Sequence, residues 1–203
     1  KSGCRTFFVA HGKEGKSLRT ALPADAEIYV LSGPTPGGLG RYFEADLKPV
    51  INSADQARLW ISACNEAKYP PACALHFDTG INRLGVPADE MDVFAVDGDI
   101  FPKLNIDLIM SHLACGSLTD HPMNAQQLAA FQKIAAGFPK NRLSLANTAG
   151  TYLGAGYHFD LVRPGIGLYG GASTDKPAIE TLHRAVSLHA PIIQIKSVKK
   201  GQT

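Results

Sequence analysis

Short β-branched or aromatic runs recur along this chain with amphipathic stretches between them, and that alternation restricts the fold more than any other feature. The runs fall at 6–10, 27–31, 48–51, 72–78, 106–112, 142–146 and, with a weaker pattern, 161–163. Several are apolar throughout, as strands covered on both faces are. Between them, Ser53 and Gln56 have the spacing of a capping box, and Ala57, Trp60, Ile61 and Cys64 then recur on one helical face. Asp120 and Pro122 mark another helix start, followed by Leu128, Phe131, Ile134 and Phe138 at the same period. Strand and helix in alternation, without a close internal repeat, predict parallel βαβ units.

Seven strands would suit an open doubly wound sheet. A TIM (β/α)8 barrel needs one more, and the chain passes from Lys-Ser-Gly-Cys into the apolar TFFVA almost at once, as though a fold had already started. The expectation is therefore an α/β fold, an incomplete TIM barrel of strands two to eight over residues 1–184. After Leu182 the pattern changes: Pro191 precedes IIQIKSV, a β-type run with no helix after it, so 185–203 is expected to start a C-terminal β domain. Barrel enzymes gather their ligand groups at the carboxyl ends of strands. Asp78, His112, Asn147 and Arg163 all fall there.

Composition narrows the partners. A chain of 203 residues, 45% hydrophobic and 19% charged, can build one sizeable core. Its formal net charge of +2, without a dense basic run, gives no electrostatic case for nucleic acid or a membrane surface. No apolar run approaches the roughly 20 residues that cross a bilayer, and no signal peptide opens the chain. Cys4, Cys64, Cys73 and Cys115 are widely spaced and form neither C-x-x-C nor a Cys/His ligand pattern, which favours a reducing cytoplasm over a zinc site or disulfide framework.

Four stretches could carry chemistry, and each also has a plainer reading. HFDTGINRLGV (76–86) is a strand running into a glycine turn with Asp78, Asn82 and Arg83; the plain reading is a loop that Asp78 caps and Arg83 pairs with. SHLACGSLTDHP (111–122) puts His112 at a strand end, where its flat ring could stack on a ligand or relay a proton, while His121 reads as part of a helix start. ANTAG (146–150) offers Asn147 and Thr148 as a helix cap or an anion site. LVRPGIGLYG (161–170) sets Arg163 two residues before the Gly165-Ile166 turn; a structural Arg163 would pair with Asp160. Two glycine turns and a fixed cation suit a phosphorylated ligand. By contrast, Gly37-Gly38 lacks the P-loop pattern, and no G-x-G-x-x-G after a strand, G-x-S-x-G or H-E-x-x-H is present.

In order, HFDTGINRLGV, SHLACGS, ANTAG and LVRPGIGLYG resemble alanine racemase, a fold type III family dependent on pyridoxal 5'-phosphate (PLP). The likeness extends to VAHGKEGKSLRTAL and IYVLSG near the start. It implies PLP at the mouth of the barrel, with His112 near the pyridine ring and Asn147, Thr148, Gly165 and Ile166 around the phosphate. Arg163 would face the ring nitrogen; a guanidinium stays charged and accepts no hydrogen bond, so it disfavours protonation there. Arg83 would lie on the substrate side, orienting the cofactor phenolate or the substrate carboxylate. The implied reaction interconverts L- and D-alanine by two-base proton transfer and supplies D-alanine for peptidoglycan. Related readings are a racemase for serine or a basic amino acid, a non-catalytic PLP-binding barrel, and a barrel enzyme for phosphorylated sugars.

The family's two bases are a Schiff-base lysine on the first barrel strand and a tyrosine given by the second domain of the partner subunit in a homodimer. No K-A-N-A-Y-G-like stretch precedes Thr6 and no tyrosine motif follows, so this segment alone is expected to hold no catalytic base and to be inactive. Lys13 and Lys16 fall where the resemblance places the helix after the second strand. A further departure is His76, where many members carry a lysine whose carbamate steadies the arginine matching Arg83.

Overall fold

Two hydrophobic periods and one ring of charges determine the architecture. The computed structural model describes residues 3–65, 71–87, 90–91, 100–171, 173–175 and 182–202. Its strands are β1 (Thr6–Val9), β2 (Glu27–Val30), β3 (Lys48–Ile51), β4 (Cys73–Asp78), β5 (Val86–Pro87), β6 (Ile106–Met110) and β7 (Arg142–Ser144). Among the described helices are α1 (Gly12–Arg19), α2 (Gly40–Glu44), α3 (Ala54–Asn65) and α4 (Pro122–Ala135). The sheet runs β1-β2-β3-β4-β6-β7, with β5 beside the end of β4. All of these pairings are parallel.

Alternate residues of the strands enter two separate apolar clusters. Ile28, Val30, Ile51, Leu75, Phe77 and Ile109 pack outward, with Trp60 from α3 and Phe131 from α4. Tyr29, Val50, Ala74, Leu108 and Met110 face the other way and meet Phe8, Leu31 and Leu161. Both faces of the sheet are thus covered, which explains the uninterrupted apolar runs in the sequence.

The sheet curls. Arg142 on β7 donates two hydrogen bonds to the Glu27 carboxylate on β2, at 2.8 and 3.0 Å. In a flat sheet those strands, four steps apart, would lie about 19 Å from each other at about 4.8 Å per step. Lys48 completes the cluster by reaching both Glu27 and Asp107 at 2.5 Å, and Tyr29 Oη donates to Asp107 at 2.9 Å. At the other end of the strands, the Arg163 guanidinium carbon lies 5.9 Å from the centre of the Phe8 ring on β1. These contacts bring the edges of the sheet towards each other, giving a parallel half-barrel.

Several expectations change in detail. The 161–163 run is no full strand: it makes a single parallel bridge, Asn147 with Arg163. Main-chain bonds remain at its two ends, Asp160 N to Leu143 O at 3.1 Å and Arg163 N to Ala146 O at 2.8 Å, while side chains interrupt the ladder between them: Ser144 Oγ donates to Leu161 O at 2.6 Å and Asp160 Oδ2 accepts from Leu143 N at 2.9 Å; Pro164 then has no N–H to continue. β5 was not anticipated, being two residues long and ending in proline. The capping box is half formed: Ser53 Oγ accepts from Gln56 N at 3.2 Å, but the Gln56 side chain turns elsewhere. α4 is capped by His121, whose Nδ1 accepts from Met123 N at 3.2 Å, so the start lies one residue after Asp120. IIQIKSV forms no strand; Ile193 and Ile195 are 95% and 86% exposed. Its backbone has no neighbouring strand to pair with among the described residues.

Candidate functional site

The loops after β4, β6 and β7 converge with residues 163–171 at the carboxyl ends of the strands. At the end of β4, Asp78 Oδ1 accepts from Gly80 N and Ile81 N at 2.8 and 2.9 Å, which tightens the turn. The chain then passes through Asn82 at φ 53° and Gly85 at φ 112° before β5 returns to pair with Phe77 and Asp78. A Cβ at Gly85 would stand 2.8 Å from Asp78 N, so glycine is required. Asp78 therefore fulfils the plain reading, but Arg83 does not: it is exposed and forms no ion pair with Asp78 among the described residues.

His112 follows β6. Burial, reinforced by the positive fields of Arg163 and Arg83, pushes its pKa down to about 4. It is neutral at pH 7, which suits a flat stacking surface and removes the proton-relay option near neutrality. Asn147 Nδ2 donates to its Nε2 at 3.2 Å and to Leu113 O at 3.3 Å, while Asn147 Oδ1 accepts from Gly150 N at 2.9 Å. Asn147 thus braces two loops and caps a short 3-10 turn, Gly150–Tyr152, in place of a long helix.

Thr148 is the pivot of the donor turns. Its buried Oγ1 accepts from Gly165 N at 2.9 Å and Gly167 N at 3.2 Å, pinning the second turn against the first. The hydroxyl proton donates to no group among the described residues. The Gly165 amide expected to face a ligand is spent on Thr148, whereas the Ile166 amide donates to no group among the described residues. Ile166 itself is 56% exposed at the start of the 3-10 turn Ile166–Tyr169.

Arg163 lies beneath these turns. It donates to Ser144 Oγ, to Ser111 O and, at 3.4 Å, to Leu145 O. All three partners are neutral. Asp160, the acidic neighbour considered from sequence, is directed at Leu143 N instead. Burial lowers the guanidinium pKa to about 10, so it remains a cation at pH 7 with no carboxylate of its own among the described residues.

Some supporting residues escaped sequence reasoning. Gln127 of α4 is wholly buried; its Oε1 accepts from Ala114 N at 2.9 Å, and its Nε2 donates to His112 O at 3.0 Å and Thr79 Oγ1 at 3.2 Å. The signal was present, since Asn124 and Gln127 lie on the same helical face as Phe131 and Ile134. Ser144 and Ser111 had no signal of their own, because an isolated serine in or after an apolar strand reads as filler.

A parallel half-barrel with neutral histidine, outward donors and an uncompensated cation at its carboxyl mouth defines a TIM-barrel-type domain suited to a planar, anionic ligand. Such a class is broad. Residues 1–173 match the family described as alanine racemase, N-terminal domain, and the chain belongs to that family. It is 45% identical over 197 residues to the alanine racemase of Rhodospirillum rubrum, covering 97% of this chain and 52% of that protein. Against the alanine racemase of Rhizobium meliloti it is 43% identical, covering 100% of this chain and 52% of the relative. The chain thus spans about half the length of these curated relatives. Among solved structures, alanine racemase from Bartonella henselae with covalently bound pyridoxal phosphate superposes with a TM-score of 0.77 at 37% identity, covering 83% of this chain and 49% of that one. The biosynthetic alanine racemase from Pseudomonas aeruginosa gives 0.75 at 28% identity, covering 86% and 48%.

Proposed function

We propose that this chain is the cofactor-holding part of a PLP-dependent alanine racemase, an isomerase that interconverts L- and D-alanine and supplies D-alanine for peptidoglycan. The observation that carries the reading is Arg163, a buried cation satisfied only by neutral oxygens. Its local charge calls for an electron-rich partner, and an unprotonated pyridine nitrogen is one. The rest of the mouth fits PLP as well: the Thr148 hydroxyl proton and the Ile166 amide are free to meet a phosphate, and neutral His112 offers a face to the ring.

When bound, PLP supplies an electron sink for the substrate Cα. The residues of this chain set how strong that sink is. Arg163 has no lone pair with which to accept a proton from the ring nitrogen, so it keeps that nitrogen unprotonated and the sink weak. A weak sink restrains transamination while leaving proton exchange at Cα. Asn147 fixes His112 through its Nδ2 hydrogen bond, so that His112 would offer its face to the ring, and Thr148 links the two turns that would hold the phosphate. Arg83, exposed on the turn after β4, orients the phenolate or the substrate carboxylate.

In this reading residues 1–184 form the barrel part and 185–203 begin a C-terminal β domain. The active enzyme is a cytoplasmic homodimer, with an amino acid as its small-molecule substrate. Among the described residues no helix is long and apolar enough to cross a membrane. The test is racemisation by the intact protein, loaded with PLP and followed by optical rotation of alanine, serine, lysine and arginine. Turnover of alanine above the others is expected; turnover of none, or of serine or a basic amino acid alone, contradicts the reading.

A further inference from the structure

The neutral oxygens around Arg163 are not its only neighbours. On the β1 side its guanidinium carbon stands over the Phe8 ring, 5.9 Å from the centroid, within the roughly 6 Å over which an aromatic face attracts a cation. That face carries the negative part of the ring's quadrupole. It therefore attracts the guanidinium while contributing neither a charge nor a proton acceptor.

Phe8 belongs to a row that crosses the barrel interior. It is in register with Tyr29 on β2, and Tyr29 is in register with Lys48 on β3. The Phe8 and Tyr29 rings stack, with 5.1 Å between centroids and 17° between planes, and Lys48 Nζ lies 5.3 Å from the centre of the Tyr29 ring. The order is cation, ring, ring, cation. Its two ends differ, because Lys48 is paired with Glu27 and Asp107, whereas Arg163 has no carboxylate among the described residues.

Tyr29 anchors the row. It is fully buried, and its Oη donates to Asp107 at 2.9 Å and accepts from Arg142 Nη2 at 2.7 Å, so its ring offers Phe8 a fixed face to stack on. Phe8 also packs with the inner apolar cluster, and for that purpose an aliphatic side chain would serve. What an aromatic ring adds is attraction for a cation that burial has stripped of water. A carboxylate in its place would attract more strongly, but it would also cancel the charge that the mouth leaves open.

We propose that Phe8 is a positioning residue for Arg163: its π face holds the guanidinium at the mouth without neutralising it, and so keeps the cation directed at the ring nitrogen of the cofactor. The cofactor half of this role rests on the racemase reading. The contact itself does not, because it is present in the protein without a ligand.

Replacing Phe8 in the intact protein by mono-, di- and trifluorophenylalanine weakens the π face in steps at nearly constant volume. In spectroscopic titrations the Kd for PLP should rise with each fluorine and reach about fivefold with the trifluoro ring, the loss expected for one cation–π contact. Phe8→Leu should lose at least as much. In Arg163→Gln the same series should leave Kd flat, because no cation remains to be held. A flat series with Arg163 present, impaired only in Phe8→Leu, would make Phe8 a packing residue and overturn the proposal; a series that persists in Arg163→Gln would overturn it too. The second readout needs no cofactor. With 15N-labelled arginine, the Nε–Hε resonance of Arg163 should carry an upfield ring-current shift that disappears in Phe8→Leu, and a resonance indifferent to that change overturns the contact. A protein that shows the ring-current shift yet binds no PLP contradicts the racemase reading, with the Phe8–Arg163 contact intact.

Discussion

The two ends of this half-barrel treat charge in opposite ways. At the amino ends of the strands, Glu27, Asp107, Lys48 and Arg142 neutralise one another, with Tyr29 and Thr6 completing the network. At the carboxyl ends, Arg163 has only neutral partners, while His76 and His112 are held uncharged. The first arrangement is closed and ties distant strands together. The second is open and leaves a cation and several donors for something else to satisfy. One end is therefore built for curvature and the other for a ligand.

The largest expected difference is in pH dependence. Both histidines have folded pKa values below the ordinary 6.5, so the unfolded chain binds their protons first and stability falls as pH drops from about 6.5 towards 4. Each adds up to about 1.4 kcal/mol per pH unit in that range. At the closed end, burial works to raise the Glu27 pKa, but hydrogen bonds from Arg142, Lys48 and Thr6 outweigh it and bring it to about 2. Its contribution is complete above about 4.5 and is lost as pH falls through 2. Chemical denaturation from pH 7 to pH 3 should show the histidine slope first; His112→Gln should flatten it above pH 4.5 and Glu27→Gln only below.

Breaking the closed end should cost stability and spare binding. Glu27→Ala strands Lys48 and Arg142 and should lower unfolding free energy by about 3 kcal/mol, with PLP affinity nearly unchanged. The opposite pattern is expected for Arg163→Lys. It keeps a charge but loses the fork that reaches Ser144 and Ser111, and PLP affinity should fall by about 2 kcal/mol, or roughly 30-fold, by spectroscopic titration.

Much of this division was legible in the sequence. Continuous apolar runs announce strands covered on both faces, and Asp78, His112, Asn147 and Arg163 stand out by position at strand ends. What sequence could not supply was partnership. Asp160 stands three residues before Arg163 and looked like its counter-ion, yet its carboxylate is captured by Leu143 N, a long-range contact with no local pattern. The charged closure was equally hidden, since Glu27 and Arg142 are 115 residues apart. Gly165 was correctly placed in a turn, but only the fold shows Thr148 Oγ1 consuming its amide proton.

The smallest effect belongs to that link. Thr148→Val removes the acceptor of Gly165 N and Gly167 N and should weaken PLP binding by about 1 kcal/mol, roughly fivefold, while Thr148→Ser should restore it. Binding kept by Thr148→Val but lost in Thr148→Ser would mean that the methyl packing against Gly167, and not the hydroxyl, holds the turns together.

The open end is tested most directly through the nitrogen that Arg163 is assigned to face. PLP labelled with 15N in its ring, bound to the intact protein, should give the chemical shift of an unprotonated pyridine from pH 6 to 9. A pyridinium shift in that range, or the same unprotonated shift after Arg163→Glu, would contradict the account.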